Sequence, residues 1–339
     1  MAAAALILTC TLNAQVRERC FRIVQYNVEN LFDTIPSPDK HDGDFTPDGK
    51  MKWDSRRYWA KLGRLSRVIA ASGGLTPAAV VTLCEVEGDS VVSDLTRKTR
   101  LRRLGYEYFV THSADVRGIN IALLYQPALF RPLHKDTLRV FPANPRTRIS
   151  RDVLHVAGEL ACGDTLDLIV CHFPSRKGGR QASRYRMEVA SATRAFADSI
   201  MRSRERANMV ITGDFNAFFP EKVLMQGLRV TLPGERLQEN GLYLLSHGLQ
   251  GEGEIEGTYK YQGQWNQLDH FVVNGRLLQQ QEGQRLRTQT GNVKIIDFPF
   301  LLSRNKGGNL YPLRTYLGTF YRGGYSDHLP VALDLIETP

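Results

Sequence analysis

Outside its first fourteen positions the chain has no apolar run approaching the ~20 residues that cross a bilayer, so no membrane-spanning helix is expected. Heptads, collagen-like periodicity, low-complexity tracts and helical repeats are also missing, which excludes coiled coils, fibres and solenoids. Cysteine is scarce: five in 339 residues, irregularly spaced and without a CxxC pair, which argues against a structural zinc site. No Pro/Gly/Ser-rich linker divides the chain. A length of 339 at roughly 150 residues per domain allows two domains, but the missing linker favours one, over residues 19–339. Acid is in deficit as well. The 35 Asp+Glu stand against 44 Lys+Arg, mostly Arg, for a net charge of +9. That surplus suits a phosphate-bearing partner, because guanidinium offers a flat fork of donors, and it equally suits a soluble basic surface. With 42% hydrophobic and 23% charged residues, the composition excludes disorder over most of the length.

The apolar segment from Met1 to Ala14 resembles the end of a secretory signal, with small Ala14 at the cut, and predicts an exported protein. No Lys or Arg precedes it, and Leu12 is large for its place three residues before the cut. Two alternatives stay open: acylation of Cys10, although Thr9 replaces the usual small residue, or a buried N-terminal element. Cys20, Cys84, Cys162 and Cys171 remain after such a cut. Cys84 and Cys171 lie in apolar runs and read as small buried hydrophobes, while a Cys162–Cys171 bridge is open to an exported protein.

Short β-branched and aliphatic runs predict strands at Arg22 to Val28, Ala79 to Leu83, Tyr106 to Thr111, Ile119 to Tyr125, Leu154 to Leu160, Leu166 to Cys171, Met209 to Thr212, Leu268 to Val273 and Leu329 to Leu335. Two segments repeat apolar residues at helical spacing. Asp54 to Ala71 aligns Trp59, Leu62, Leu65, Val68 and Ile69, with Asp54 or Ser55 as cap; Ser183 to Arg202 aligns Tyr185, Val189, Ala192, Phe196 and Ile200. Strands outnumber helices, and hairpin-like spacing recurs between residues 106 and 172. The pattern predicts an α/β fold of mixed sheets with helices outside rather than a doubly wound parallel sheet.

Polar residues fall repeatedly at the C-terminal ends of these strands, as if gathered on one rim. Asn27 follows Ile23-Val24-Gln25-Tyr26, and Glu85 closes Val80-Val81-Thr82-Leu83-Cys84. A carboxylate directly after a buried run is costly unless paired, and a metal ion is one natural partner; a strand-end acid reaching solvent is the other reading. His172 ends Leu168-Ile169-Val170-Cys171 and is followed by a loop with Arg176, Lys177, Gly178, Gly179 and Arg180, either a phosphate-gripping loop or a solvated basic one. In Gly213-Asp214-Phe215-Asn216, alternation puts Asp214 and Asn216 on one face, where a carboxylate can take a proton from water and an amide can orient it. Asp269-His270 and Ser326-Asp327-His328 complete the series. A carboxylate from elsewhere in the chain would fix the tautomer of His328 and stabilise its imidazolium. The Asp44-Phe45-Thr46-Pro47-Asp48-Gly49 string begins like an EF-hand loop, but its twelfth position is Ser55 and no helix precedes it, so it reads as a surface turn.

The order Tyr26-Asn27-Val28, Glu85, His172, Gly213-Asp214-Phe215-Asn216, Leu268-Asp269-His270 and Ser326-Asp327-His328 resembles the endonuclease/exonuclease/phosphatase superfamily, from about Phe21 to Leu335. Val28 to Asp33, Asp44 to Gly49 and Trp53 to Lys61 are similar to a bacterial, often exported branch of it. The resemblance implies a four-layer αββα sandwich with the site at one rim. It implies a divalent cation, usually Mg²⁺ with Mn²⁺ or Ca²⁺ as substitutes, at Glu85 with help from Asn27 and Asp327. It implies that Asp214 activates water with Asn216, that His328 paired to Asp269 stabilises phosphoryl oxygens, and that His172 meets the scissile phosphate or leaving group. Arg176, Lys177 and Arg180 are the expected phosphate-binding cations, and Asn120 and Tyr125 are candidate neighbours of the site. Where many members carry Gln before the metal-binding Glu, this chain has Cys84, leaving the support of Glu85 to be found.

The expected activity is metal-dependent phosphoester hydrolysis of nucleic acid, or alternatively of a small phosphate ester or lipid headgroup. A catalytically silent binding protein is the third reading. No obligatory protein partner is evident.

Overall fold

The computed structural model describes residues 20–279 and 284–337. The apolar segment 1–14, Cys10 and the expected domain boundary at Arg19 lie outside them. The first sheet contains β1 (Cys20–Leu31), β2 (Val80–Val86), β3 (Glu107–Val110) and β4 (Asn120–Tyr125). The second contains β5 (Phe130–Leu138), β6 (Val153–Leu160), β7 (Thr165–His172), β8 (Met209–Asp214), β9 (Leu242–Leu244) and β10 (Asp269–Asn274). The chain then returns to the first sheet through β11 (Leu286–Arg287), β12 (Val293–Ile295) and β13 (Val331–Glu337). The first sheet runs β11-β13-β1-β2-β4-β3, with β12 also on β13, and the second runs β5-β6-β7-β8-β10-β9.

Each sheet has one parallel pair at its middle, β1 with β2 and β7 with β8. A parallel pair needs a long crossover. The two long helices supply it: α1 (Ser55–Ser72) between β1 and β2, and α3 (Gly179–Ser203) between β7 and β8. A shorter helix, α2 (Asp89–Arg97), follows β2.

The apolar residues sort into three layers. Val24, Tyr26, Val28, Val81 and Leu83 pack under α1 and α2 with Leu62, Leu65, Val92 and Leu95. Phe21, Ile23, Val80, Leu168, Val170, Val210, Phe271 and Leu333 fill the space between the sheets. Ile169, Cys171, Ile211 and Val272 pack under α3 with Tyr185, Val189 and Ala197. Because strand side chains alternate, the sequence's continuous apolar runs cover both faces of each sheet, and the result is the expected αββα sandwich.

Predicted strands and long helices are found within a few residues of their expected ends. Asp54 caps α1, its carboxylate accepting from Arg57 N at 2.8 Å. Trp59 departs from expectation. The buried stripe of α1 centres on Tyr58, Leu62, Leu65 and Ile69, which leaves Trp59 at its flank and 40% exposed. The edge strand β5 escaped sequence reading because Arg131, His134, Lys135 and Asp136 face solvent and break any apolar alternation. The Cys162–Cys171 bridge does not form, and all four described cysteines are free. Cys162 sits in the inter-sheet layer and Cys171 under α3, on opposite sides of the sheet.

Candidate active site

The inward-facing positions change character at one end of the inter-sheet layer. On β1, Phe21 and Ile23 give way to Gln25 and Asn27; on β7 and β8, Val170 and Val210 give way to His172 and to Thr212 and Asp214; on β10, Phe271 gives way to Asp269. Pairing aligns these ends, with His172 opposite Asp214 in the parallel ladder and Asp269 opposite Asp214 in the antiparallel one. Asn27 joins the two sheets: its Nδ2 donates to Asp214 Oδ2 at 3.0 Å and to Glu85 Oε1 at 3.3 Å.

Glu85 reaches this rim through a break in the strand. Strict alternation would turn it toward the helices, alongside Val81 and Leu83. A register shift between Cys84 and Val86, with φ of +68° at Glu85, lets its Oε2 accept from Asn30 N at 2.9 Å. The neighbouring stretch of β1 has a matching shift, with Glu29 and Asn30 at φ of +52° and +51°. The amide that supports the Glu85 strand comes from Gln25, one strand away. It donates to Cys84 Sγ at 3.4 Å and to Asp269 Oδ1 at 3.5 Å and accepts from Thr82 Oγ1 at 2.5 Å.

Asp214 is the hub. Its Oδ1 accepts from Asn216 N at 2.9 Å, and its Oδ2 lies 3.5 Å from His172 Nε2 and 3.9 Å from His328 Nε2. Burial pushes the Asp214 carboxyl up to about 7; Asp269 adds to the rise, while His328, Asn216 N and Asn27 oppose it. Asp269 is completely buried, and its Oδ2 accepts from His328 Nδ1 and Thr258 Oγ1, each at 2.6 Å. Burial pulls His328 down, but Asp269, Asp214 and Asp327 outweigh it, and the imidazole stands well above its ordinary value. His172 is the opposite case. Burial first, then Arg151 and Arg117, hold it well below the usual histidine range. The two histidines are thus biased in opposite directions, His328 toward its protonated form and His172 toward its neutral one.

The remaining expected residues divide. Asn216 donates through Nδ2 to Phe173 O at 3.1 Å. Asn120 holds Glu87 O and Ser113 N and touches none of the acids at the rim, at bonds of 2.7 Å each. Tyr125 is not brought to the site: β4 runs antiparallel to β2, so Tyr125 pairs with Val80 at the far end and packs on Phe109 and Phe130. His270 faces the α3 layer, held by Ser246 and Ala217 O. Asp327 bonds Arg314 Nη2 at 2.6 Å and makes no bond to Glu85. Arg176, Lys177 and Arg180 are all exposed, and Arg176 pairs with Glu221 and stacks over Phe218. The Asp44 to Gly49 turn lies on the surface with Phe45 stacked on Phe32.

Sequence reading missed a second polar network beside the rim. Lys61, fully buried on α1, donates to Glu29 O and Thr315 Oγ1 at 2.6 Å each, and Glu29 accepts from the backbone N of Thr315 and Tyr316. Burial pulls Lys61 down to about 8 and pushes Glu29 up to about 7, with Asp327 reinforcing the latter. Lys61 could have been noticed, since it stands on the apolar stripe of α1 between Tyr58 and Leu65. Arg151 and Arg314 carry no comparable signal.

Among the described residues, no three His, Cys, Asp or Glu side chains converge in a metal-holding group. Glu85 also has no Lys or Arg within ion-pairing distance among them; its one basic neighbour is His172 at 3.9 Å. A carboxylate left uncompensated beside an amide fits a hard cation that keeps most of its waters, as Mg²⁺ does, and not a thiolate or imidazole cage.

A two-sheet sandwich with carboxylates, amides and two histidines shifted in opposite directions on one rim is the architecture of a phosphoester hydrolase. Residues 22–337 match the Endonuclease/Exonuclease/phosphatase family, and the chain belongs to it. Among curated proteins none matches. Solved structures share the fold at low identity. D. rerio TDP2, complexed with a single-strand DNA product, is 15% identical over 93% of this chain and 98% of its own, with a TM-score of 0.56. The human Nocturnin catalytic domain with bound sulfate is 17% identical over 95% and 98%, with a TM-score of 0.57. A Bacteroides vulgatus endonuclease/exonuclease/phosphatase is 13% identical over 94% and 100%, with a TM-score of 0.58.

Proposed function

We propose that the protein is a divalent-metal-assisted phosphodiesterase acting on nucleic acid, with residues 20–337 working as one catalytic unit. The observation that carries this reading is the geometry at Asp214: a buried carboxylate fixed by Asn27 Nδ2 and Asn216 N, with His172 Nε2 at 3.5 Å and His328 Nε2 at 3.9 Å. A fixed carboxylate whose affinity for protons is raised by burial is suited to take a proton from water. Asn27 and Asn216 fix the carboxylate's direction. His328, protonated and oriented by Asp269, donates through Nε2 toward the phosphoryl oxygens. His172, neutral, offers a hydrogen bond to the scissile phosphate or its leaving group without adding charge. Glu85 with Asn27 would hold the ion, which supplies charge neutralisation at the phosphate. The bond of Asp327 to Arg314 and its raising effect on His328 support a role for Asp327 in the electrostatics around His328 ahead of one at the ion.

The test is a panel of supercoiled plasmid, single-stranded oligonucleotide, bis-p-nitrophenyl phosphate, inositol phosphates and sphingomyelin, run with Mg²⁺ or with EDTA. Hydrolysis should need the ion, and Asp214→Ala should lower turnover by about 10²–10⁴-fold. Wild-type turnover by Asp214→Ala would remove Asp214 from its role. Nucleic-acid affinity should fall steeply with salt. The engagement of Arg176 with Glu221 supports a second reading, a small phosphate ester, because it leaves Lys177 and Arg180 as the ready cations of that loop. Activity on inositol phosphates alone would select it. Export remains a proposal resting on residues 1–14, checked by sequencing the N-terminus of the secreted protein.

A further inference from the structure

Two buried arginines grip the turn that follows His172. Arg151, just ahead of β6, donates from Nη2 to Phe173 O at 2.7 Å, and Arg186 on α3 donates from Nη1 to Pro174 O at 2.9 Å. Phe173 O is the same atom that accepts Asn216 Nδ2, while Phe173 N donates to Asp214 O at 2.9 Å and the Phe173 ring stacks on Phe215 at 4.9 Å. Through one residue, Arg151 is therefore joined to the end of β7, to Asp214 and to the amide of Asn216.

Charge compensation explains only part of this burial. Asp115 forms a buried ion pair with Arg151, accepting from its Nη1 at 3.4 Å while also accepting from Arg117 backbone N, Nε and Nη2 at 2.8, 3.3 and 3.2 Å, but among the described residues no carboxylate lies within ion-pairing distance of Arg186. Arg151 Nε and Arg186 Nε are buried without a hydrogen-bond partner. Taking a guanidinium out of water costs several kcal/mol, and an apolar side chain would fill the same space without that cost. At the opposite end of the second sheet, Arg204 shows the ordinary arrangement, a partly exposed guanidinium on a buried acid, Asp167.

We infer that Arg151 and Arg186 are positioning residues, which lock the His172-Phe173-Pro174 turn and hold Asn216 and His172 at the geometry the reaction needs. This rests on the phosphodiesterase reading above. A displacement of about 1 Å at reacting groups costs up to roughly 10²-fold in rate.

The experiment compares kcat and KM on bis-p-nitrophenyl phosphate with Mg²⁺, together with thermal midpoints, for wild type, Arg151→Met, Arg151→Lys, Arg186→Met and, as a stability control, Arg204→Met. Arg151→Met should lower kcat about 10–100-fold with KM within about threefold, Arg151→Lys should recover part of it, and Arg186→Met should fall between. Arg204→Met should lower the midpoint and leave kcat intact. Should Arg151→Met not fold, Arg151→Lys decides: a reduced kcat at wild-type KM supports the inference, and wild-type kcat overturns it. Losses of kcat that merely track the midpoints across all variants, the control included, also overturn it. A wild type inactive on the whole panel refutes the phosphodiesterase reading instead.

Discussion

Gly213 shows how much one backbone position can carry. It sits inside β8 at φ of +144°, and a Cβ there would meet Cys171 O at 1.8 Å, well inside contact. β7 and β8 approach so closely here that His172 and Asp214 fall opposite each other. Gly213→Ala must therefore push the parallel strands apart at the residue beside the hub. We expect it to cost about 3 kcal/mol or more, read from the denaturant midpoint, and to reduce turnover further than the stability loss explains. An unchanged midpoint would mean that the strands can yield. The Gly-Asp-x-Asn string was legible in the sequence because all its members serve one local bend. Gln25, Lys61, Thr258 and Arg151 were not, because their partners lie from 11 to 254 residues away and only folding brings them near.

Among the elements, α1 carries both a crossover and a polar network. Its cap is local: Asp54 accepts from Arg57 N, and Asp54→Ala should cost about 1 kcal/mol in chemical denaturation with little change in turnover, since the cap lies a turn and more from Lys61. A larger loss would show that the cap also fixes the segment leading into the helix, where Trp53 Nε1 donates to Phe32 O at 3.0 Å. Periodicity revealed α1 and α3 because a two-layer helix must present a stripe. It passed over α2, nine residues long, and β5, whose outer face is charged. It also missed how Glu85 leaves its strand, because a bulge is a relation between two strands and alternation along one cannot express it.

At the scale of the molecule, the two ends of the described chain lie side by side. β1 and β13 pair from Cys20 with Ile336 to Gln25 with Val331, and Arg22 clasps Asp334 through two bonds of 2.7 Å. Burial works against the Asp334 carboxylate, but Arg22 outweighs it and holds the group below the usual range. A carboxylate depressed in the folded state stabilises fully above its unfolded value of about 3.9 and loses that contribution as pH falls through the folded one. The thermal midpoint of wild type should thus fall more steeply below about pH 4 than that of Asp334→Asn. Parallel curves would show that this clasp does not couple folding to protons.

Through alternation and strand-end chemistry, the sequence by itself located nine of the strands, the two crossover helices and the strand-end candidates Asn27, Glu85, His172, Asp214, Asn216, Asp269 and His328. Those signals are local, set by periods of two and 3.6 residues. Only the tertiary structure decided which of these side chains meet: Asn27 bridges the sheets to Asp214, Asp269 orients His328, Tyr125 goes to the far end, and Asp327 turns to Arg314. Strand direction, register and burial are relations between distant segments, and they alone set the distances and the local dielectric that shift one histidine toward its charged form and the other toward neutral.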